Sequence, residues 1–214
     1  MSKYHKNHYP LLQAKMDSME ESVDAFKKWG KKAKKTSVDF MQKLVGHEAQ
    51  IAIHYWDYIR ELMKDDDVGF ERREHQGASD IVNSMLNYGY AILYTRVWQA
   101  LLAAHLNPFD SLIHARQDGK PTLVYDMVEI FRSQVVDRVV ISLVQTNQNL
   151  EVRNGLLTDQ TRQLLVKSIM ERLARYEKYQ GEEIKMEQII QKQAKQLAKA
   201  FDDIDAFKPY IAKW

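Results

Sequence analysis

Apolar residues recur at three- and four-residue spacing along most of the chain, and the glycines and prolines fall mostly between the periodic segments. That pattern predicts helices, and no run alternates regularly enough to predict a strand. The periodicity places a first helix over about 9–29, ending near Gly30. A second starts behind Thr36 and Ser37, with Asp39 completing a capping-box-like pattern, and runs to about 64. A third follows Ser79 and Asp80 and ends before Asn107 and Pro108. Pro121 suits the first turn of a fourth, reaching about 148, and two more over about 158–178 and 182–204 precede the closing KPYIAKW. No repeat or low-complexity linker separates them. The expectation is an all-α fold, a single multi-helix domain over residues 1–214.

Two of these helices carry charge where the pattern is apolar. In the second, the stripe Met41, Leu44, Ile51 or Ala52, Tyr55, Ile59 and Leu62 has Glu48 in its middle. A core-facing carboxylate is costly unless it is paired or bound to metal, so the residues admit either a Glu–Arg pair or a ligand. In the fourth, Leu123, Val124, Met127, Val128, Ile130, Phe131, Val135 and Val136 leave one narrow polar stripe of Asp126, Glu129, Arg132 or Ser133, and Asp137. An ion-pair ladder and a functional site both fit that stripe.

Composition narrows the chemistry. The 214 residues are 45% hydrophobic and 28% charged with a formal net charge of +2, an ordinary soluble balance. The opening MSKYHKNHYP lacks the apolar core of a signal peptide and no stretch is apolar enough to span a membrane, so the expected location is cytoplasmic. With no cysteine, thiolate nucleophiles and Cys-ligated zinc are excluded, and any metal falls to Asp, Glu, His or backbone. The charge is uneven: KKWGKKAKK at 27–35 holds six lysines, and KDDD at 64–67 is acidic. Both segments also read simply as solvated.

His114 lies in a turn-rich loop just before the charged helix. One histidine with two or three carboxylates is a hard-leaning set that suits Mg²⁺ or Mn²⁺, with water or phosphate completing the shell, and it fits phosphoryl transfer. Neither Gly30-Lys31 nor Gly119-Lys120 has the glycine a phosphate-binding lysine loop requires, and H-E-x-x-H, G-x-S-x-G and paired Glu-x-x-His motifs are missing. The run Tyr88, Tyr90, Tyr94, Trp98 at helical spacing reads as packing rather than a base-stacking platform.

The stretches VGHEAQIAIHYW (45–56), SDIVNSMLNYGYAILY (79–94) and HLNPFDSLIHARQDGKPTLVYDMVEIFRSQVVDRVV (105–140) together resemble the helical catalytic domain of CRISPR-associated protein 1, the integrase of CRISPR adaptation. Order, spacing and chemistry agree over about 95 residues, and QAKQLAKAF and KPYIAKW agree more loosely. Ala49 stands where the family usually has the glycine of a Glu-Gly pair. The β-rich N-terminal domain of family members has no counterpart, which leaves open an excised domain, a piece of a fusion such as one with a reverse transcriptase, or a natural short form.

The resemblance implies metal ligation by Glu48, His114 and Glu129, with Asp126 and Arg132 supporting them. It implies a divalent cation, Mg²⁺ or Mn²⁺, and transesterification by a DNA 3′-hydroxyl at the CRISPR repeat. Lys27, Lys28, Lys31, Lys32, Lys34, Lys35, Arg116 and Lys120 are then the expected DNA contacts. The implied partners are spacer and repeat DNA, a second copy of the chain and the small partner protein of the adaptation complex, with no membrane. Because the β domain helps the family dimerise, the isolated chain is expected to be a weak integrase. A non-catalytic helical scaffold or DNA-binding fragment of a larger adaptation protein is the alternative.

Overall fold

The computed structural model describes residues 5–33, 39–66, 68–75, 77–111, 118–146, 149–200 and 207–212. The chain groups into two compact units, residues 1–76 and 77–214. Most of the described residues are helical, as the periodicity predicts.

The first unit is a helical hairpin of α1 (His5–Lys32) and α2 (Phe40–Leu62), followed by a short 3₁₀ turn at Lys64–Asp66. Late α1 meets early α2: Trp29 stacks on Phe40 at 5.3 Å and packs beside His47 at 5.0 Å. Towards the other end Lys15 pairs with Asp57 at 3.2 Å, so the helices run antiparallel. Leu12, Ile59, Met63 and Phe70 are buried. Lys27, Lys28, Lys31 and Lys32 are exposed.

The second unit is organised around α3 (Ile81–Ala103). This helix is apolar over most of its circumference, with Ala91, Thr95, Arg96 and Gln99 on the side left exposed. Val82, Met85, Leu93, Val97 and Leu101 are accordingly buried. Asp80 caps it, accepting from the Asn83 backbone N–H at 2.8 Å. Around it pack α4 (Thr122–Glu129), a π turn (Ser133–Asp137), α5 (Arg138–Gln145), α6 (Asp159–Ala174) and α7 (Met186–Lys199). The apolar set expected of the fourth helix is buried except for half-buried Ile130.

The segment expected as one helix to about 148 is thus broken by a π turn, in which the Arg138 N–H donates to the Ser133 carbonyl five residues back. Arg172 of α6 supports the turn, donating from Nε to the Gln134 carbonyl at 2.8 Å. Two antiparallel hairpins also form where no strand was expected: β1 (Val152–Arg153) with β2 (Leu156–Leu157), and β3 (Tyr176–Tyr179) with β4 (Glu182–Lys185). The turns between them have positive φ at both central residues, Asn154 and Gly155, then Gln180 and Gly181. That is the geometry that two-residue hairpins need, and it outweighs the helical spacing read over 176–178 and 182–185.

The tail is anchored by Gln193, which accepts from the Tyr210 N–H at 2.9 Å and donates to the Lys208 carbonyl at 3.2 Å. This seats Tyr210 against Phe131 at 6.2 Å. No described helix is long and apolar enough to cross a membrane.

Candidate active site

Glu129 ends α4, and its Oε1 accepts from Arg132 Nη1 at 2.6 Å. The Arg132 guanidinium lies over the ring of Tyr90 on α3, 4.3 Å from its centroid. Tyr90 donates its hydroxyl to Oδ1 of Asp137 at 2.5 Å. Arg132 and Asp137 are five positions apart, which in an α-helix turns them about 140° from each other. The π turn between them, with its i→i+5 bonds, restores both to the side that faces α3.

Gly89 allows α3 to come this close. A Cβ there would lie 2.6 Å from Val136 Cγ1 and 3.1 Å from Ile169 Cδ1. Farther along α3, Tyr94 packs edge-on to Tyr125 at 5.2 Å and Trp98 edge-on to Phe109 at 5.6 Å, so most of the aromatic run is packing.

The electrostatics hold this arrangement still. Burial, reinforced by the Asp137 carboxylate, pushes the Tyr90 hydroxyl far above the ordinary tyrosine range, so it stays a fixed donor. Burial opposes the charge on Arg132, but Tyr90 and Glu129 outweigh it and raise the guanidinium pKa. Asp126 and Glu129, neighbours one turn apart, differ sharply in exposure: Asp126 is buried, while the Glu129 side chain keeps 44% of its surface. Asp137, read from the sequence as part of the polar stripe, is instead buried against Tyr90.

Glu48 requires a correction. It is exposed, not core-facing. The side of α2 that meets α1 carries Phe40 and His47, and Glu48 is rotated about 100° beyond His47. It shares an outer face with Met41 and Val45, themselves 41% and 52% exposed. Of the apolar stripe read around it, Ile59 is buried and Leu44, Ile51, Ala52, Tyr55 and Leu62 are half-buried, so Glu48 lies beside the covered side rather than within it, and the buried Glu–Arg pair it also allowed does not form. Lys120 is exposed, as are the four described lysines of the basic run. His114, Arg116, Lys34 and Lys35 lie outside the described residues.

Two carboxylates and an imidazole suit a hard divalent cation. Glu48 and Glu129 both face outward from their own units. Among the described residues, Oε2 of Glu129 takes no hydrogen bond while Oε1 is held by Arg132, which leaves an oxygen donor for a cation. No group of three His, Asp or Glu residues is gathered at metal-binding distance among the described residues, of which His114 is not one. Residue type alone thus suits the cation, and the described residues gather no site for it.

A mostly helical fold of this kind is shared with proteins of known structure. Over 94% of this chain it superimposes on 68% of a casposase bound to its integration product, with a TM-score of 0.69 and 22% identity. A Cas6-RT-Cas1–Cas2 complex matches over 96% of this chain and 22% of that one, with a TM-score of 0.75 and 21% identity. Those likenesses establish the fold. In sequence, the family described as CRISPR associated protein Cas1 matches residues 1–171, and the chain belongs to that family. It is 38% identical over 159 residues to a CRISPR-associated endonuclease Cas1 of Francisella tularensis subsp. novicida, covering 73% of this chain and 49% of the relative. For the enzyme of the same name from Archaeoglobus fulgidus the figures are 34% over 184 residues, 81% and 53%. The chain thus spans about half the length of these relatives.

Proposed function

We propose that this chain is the cation-holding helical part of a DNA strand-transfer enzyme of CRISPR adaptation, acting in the cytoplasm. Membership of the Cas1 family carries the reading. The name endonuclease on two relatives and the integration product on a structural neighbour support it. Glu48, His114 and Glu129 would hold the metal. A bound Mg²⁺ or Mn²⁺ supplies Lewis acidity, lowering the pKa of an attacking 3′-hydroxyl and neutralising charge on the phosphate.

Arg132 keeps Glu129 in one orientation, and Asp126, buried one turn earlier, would support the ligand set. The DNA 3′-oxygen forms a bond to a phosphodiester phosphorus in the CRISPR repeat as another P–O bond breaks. The hydroxyl proton leaves to solvent, and no covalent bond to the protein is needed. A second copy of the chain and the small partner protein complete the assembly, in keeping with the Cas2 in the neighbouring complex.

The direct test is Mn²⁺-dependent strand transfer on branched DNA with the small partner protein present. DNA binding without transfer would favour a non-catalytic scaffold. Metal binding is tested separately. Mn²⁺ is expected to raise the melting temperature, because a ligand of the folded state stabilises it by mass action, and Glu48→Ala should remove that rise. Since Glu48 is exposed, the same substitution should leave metal-free stability within about 0.5 kcal/mol. An equal Mn²⁺ response in wild type and variant would exclude Glu48 as a ligand.

Exposure of Lys27, Lys28, Lys31 and Lys32 leads to a further expectation. Neutralising all four should weaken duplex binding regardless of sequence. Each lost phosphate contact lowers the slope of log affinity against log salt by about 0.9. A slope that does not change would mark the run as a solvated face only.

A further inference from the structure

We infer that Tyr90 is a positioning residue for the cation site, acting through Arg132 on Glu129; this rests on the reading of Glu129 as a metal ligand. Three contacts in series carry it: the Tyr90 hydroxyl on Asp137 at 2.5 Å, the Arg132 guanidinium 4.3 Å from the Tyr90 ring centre, and Arg132 on Glu129 Oε1 at 2.6 Å. The first contact fixes the ring in the core, since Asp137 and Tyr90 are both buried. The fixed ring then confines a guanidinium that would otherwise move on a long, rotamer-rich side chain. Confinement keeps Arg132 on a single oxygen of Glu129. A freed arginine can take both oxygens as a fork and compete with the cation for them. The π turn and Gly89 serve the same end, because without them Asp137 would not reach the hydroxyl.

The test is a Mn²⁺ titration of the 214-residue chain, followed by thermal shift and by Mn²⁺ electron paramagnetic resonance. Tyr90→Leu, which removes platform and anchor, should raise the half-saturating Mn²⁺ concentration by about 10-fold or more, the usual cost of losing a residue that supports a ligand. Tyr90→Phe keeps the platform and should cost less than the leucine variant while still raising half-saturation, and it decides the matter if the leucine variant does not fold. A contact that served the fold alone would lower the metal-free melting temperature and leave half-saturation where it was. Half-saturation unchanged in the Tyr90 variants, beside a lost response in Glu129→Gln, would overturn this inference alone. A full Mn²⁺ response in Glu129→Gln would overturn the ligand reading and this inference with it.

Discussion

Glu129→Gln is expected to abolish strand transfer at every Mn²⁺ concentration, whereas Asp126→Asn should leave a deficit that high Mn²⁺ partly repairs. The two carboxylates lie one turn apart on α4, and their surroundings separate them. Glu129 is at the surface with one oxygen held by Arg132, and Asp126 is buried. A cation approaching from outside reaches the former. An amide at position 129 keeps the shape but loses the anionic donor, and no excess of metal replaces it. Loss of a supporting partner costs about 10–100-fold in affinity or activity, which mass action can offset. The measurement is transfer to branched DNA across a Mn²⁺ series, with the small partner protein present. If Asp126→Asn were dead and Glu129→Gln recovered at high Mn²⁺, the ligand would be Asp126.

Gly89→Ala is expected to be among the most disruptive single-methyl changes in the second unit. The new Cβ would sit 2.6 Å from Val136 Cγ1, closer than a real carbon contact, and 3.1 Å from Ile169 Cδ1. The isoleucine tip can shift. Val136 is fully buried and branched at Cβ, with little freedom to turn away. Overpacking of this kind costs about 1–3 kcal/mol. At about 2–4 °C per kcal/mol for a chain of this size, calorimetry should show a drop of several degrees. The added strain lies between α3 and the π turn, so the Tyr90–Asp137 bond should loosen and Mn²⁺ affinity fall as well. Trimming the neighbour in a Gly89→Ala, Val136→Ala double variant should restore part of both. Gly46 is the control: it is helical with nothing within 4 Å of an added Cβ, and Gly46→Ala should stabilise by up to about 1 kcal/mol. Wild-type stability in Gly89→Ala would mean that the helices are not held at this distance.

Much of the second unit was legible from local chemistry. Asp80 caps α3 as its position before an apolar run predicts, because one side-chain oxygen and one N–H three residues on are enough to make the bond. The core of α4 and the π turn follows from simple spacing, since an apolar residue at nearly every position can only be buried. The hairpins at 152–157 and 176–185 also had local signals, in Asn154-Gly155 and Gln180-Gly181, the residues that tolerate positive φ. Strands of two and four residues are too short to show alternation against a helical background.

Sequence by itself determined the helical class and the family, and it supplied the proposed ligands Glu48, His114 and Glu129 and the proposed DNA-contacting lysines at 27–35. The helical class depends on spacing along the chain, which local physics converts directly into helices, and the ligand set depends on the family resemblance. Tertiary structure alone decided which face of α2 Glu48 occupies. A stripe containing both apolar and charged residues is ambiguous until a partner covers one side, and α1 covers the side of His47. It alone joined Tyr90 to Asp137, 47 positions apart in sequence. That pairing depends on a π turn whose extra residue shifts every later side chain around the helix axis. Its support comes from the Arg172 bond to the Gln134 carbonyl and from the close approach at Gly89. These contacts are long-range, and a periodicity read along a single helix carries no information about what stands opposite it.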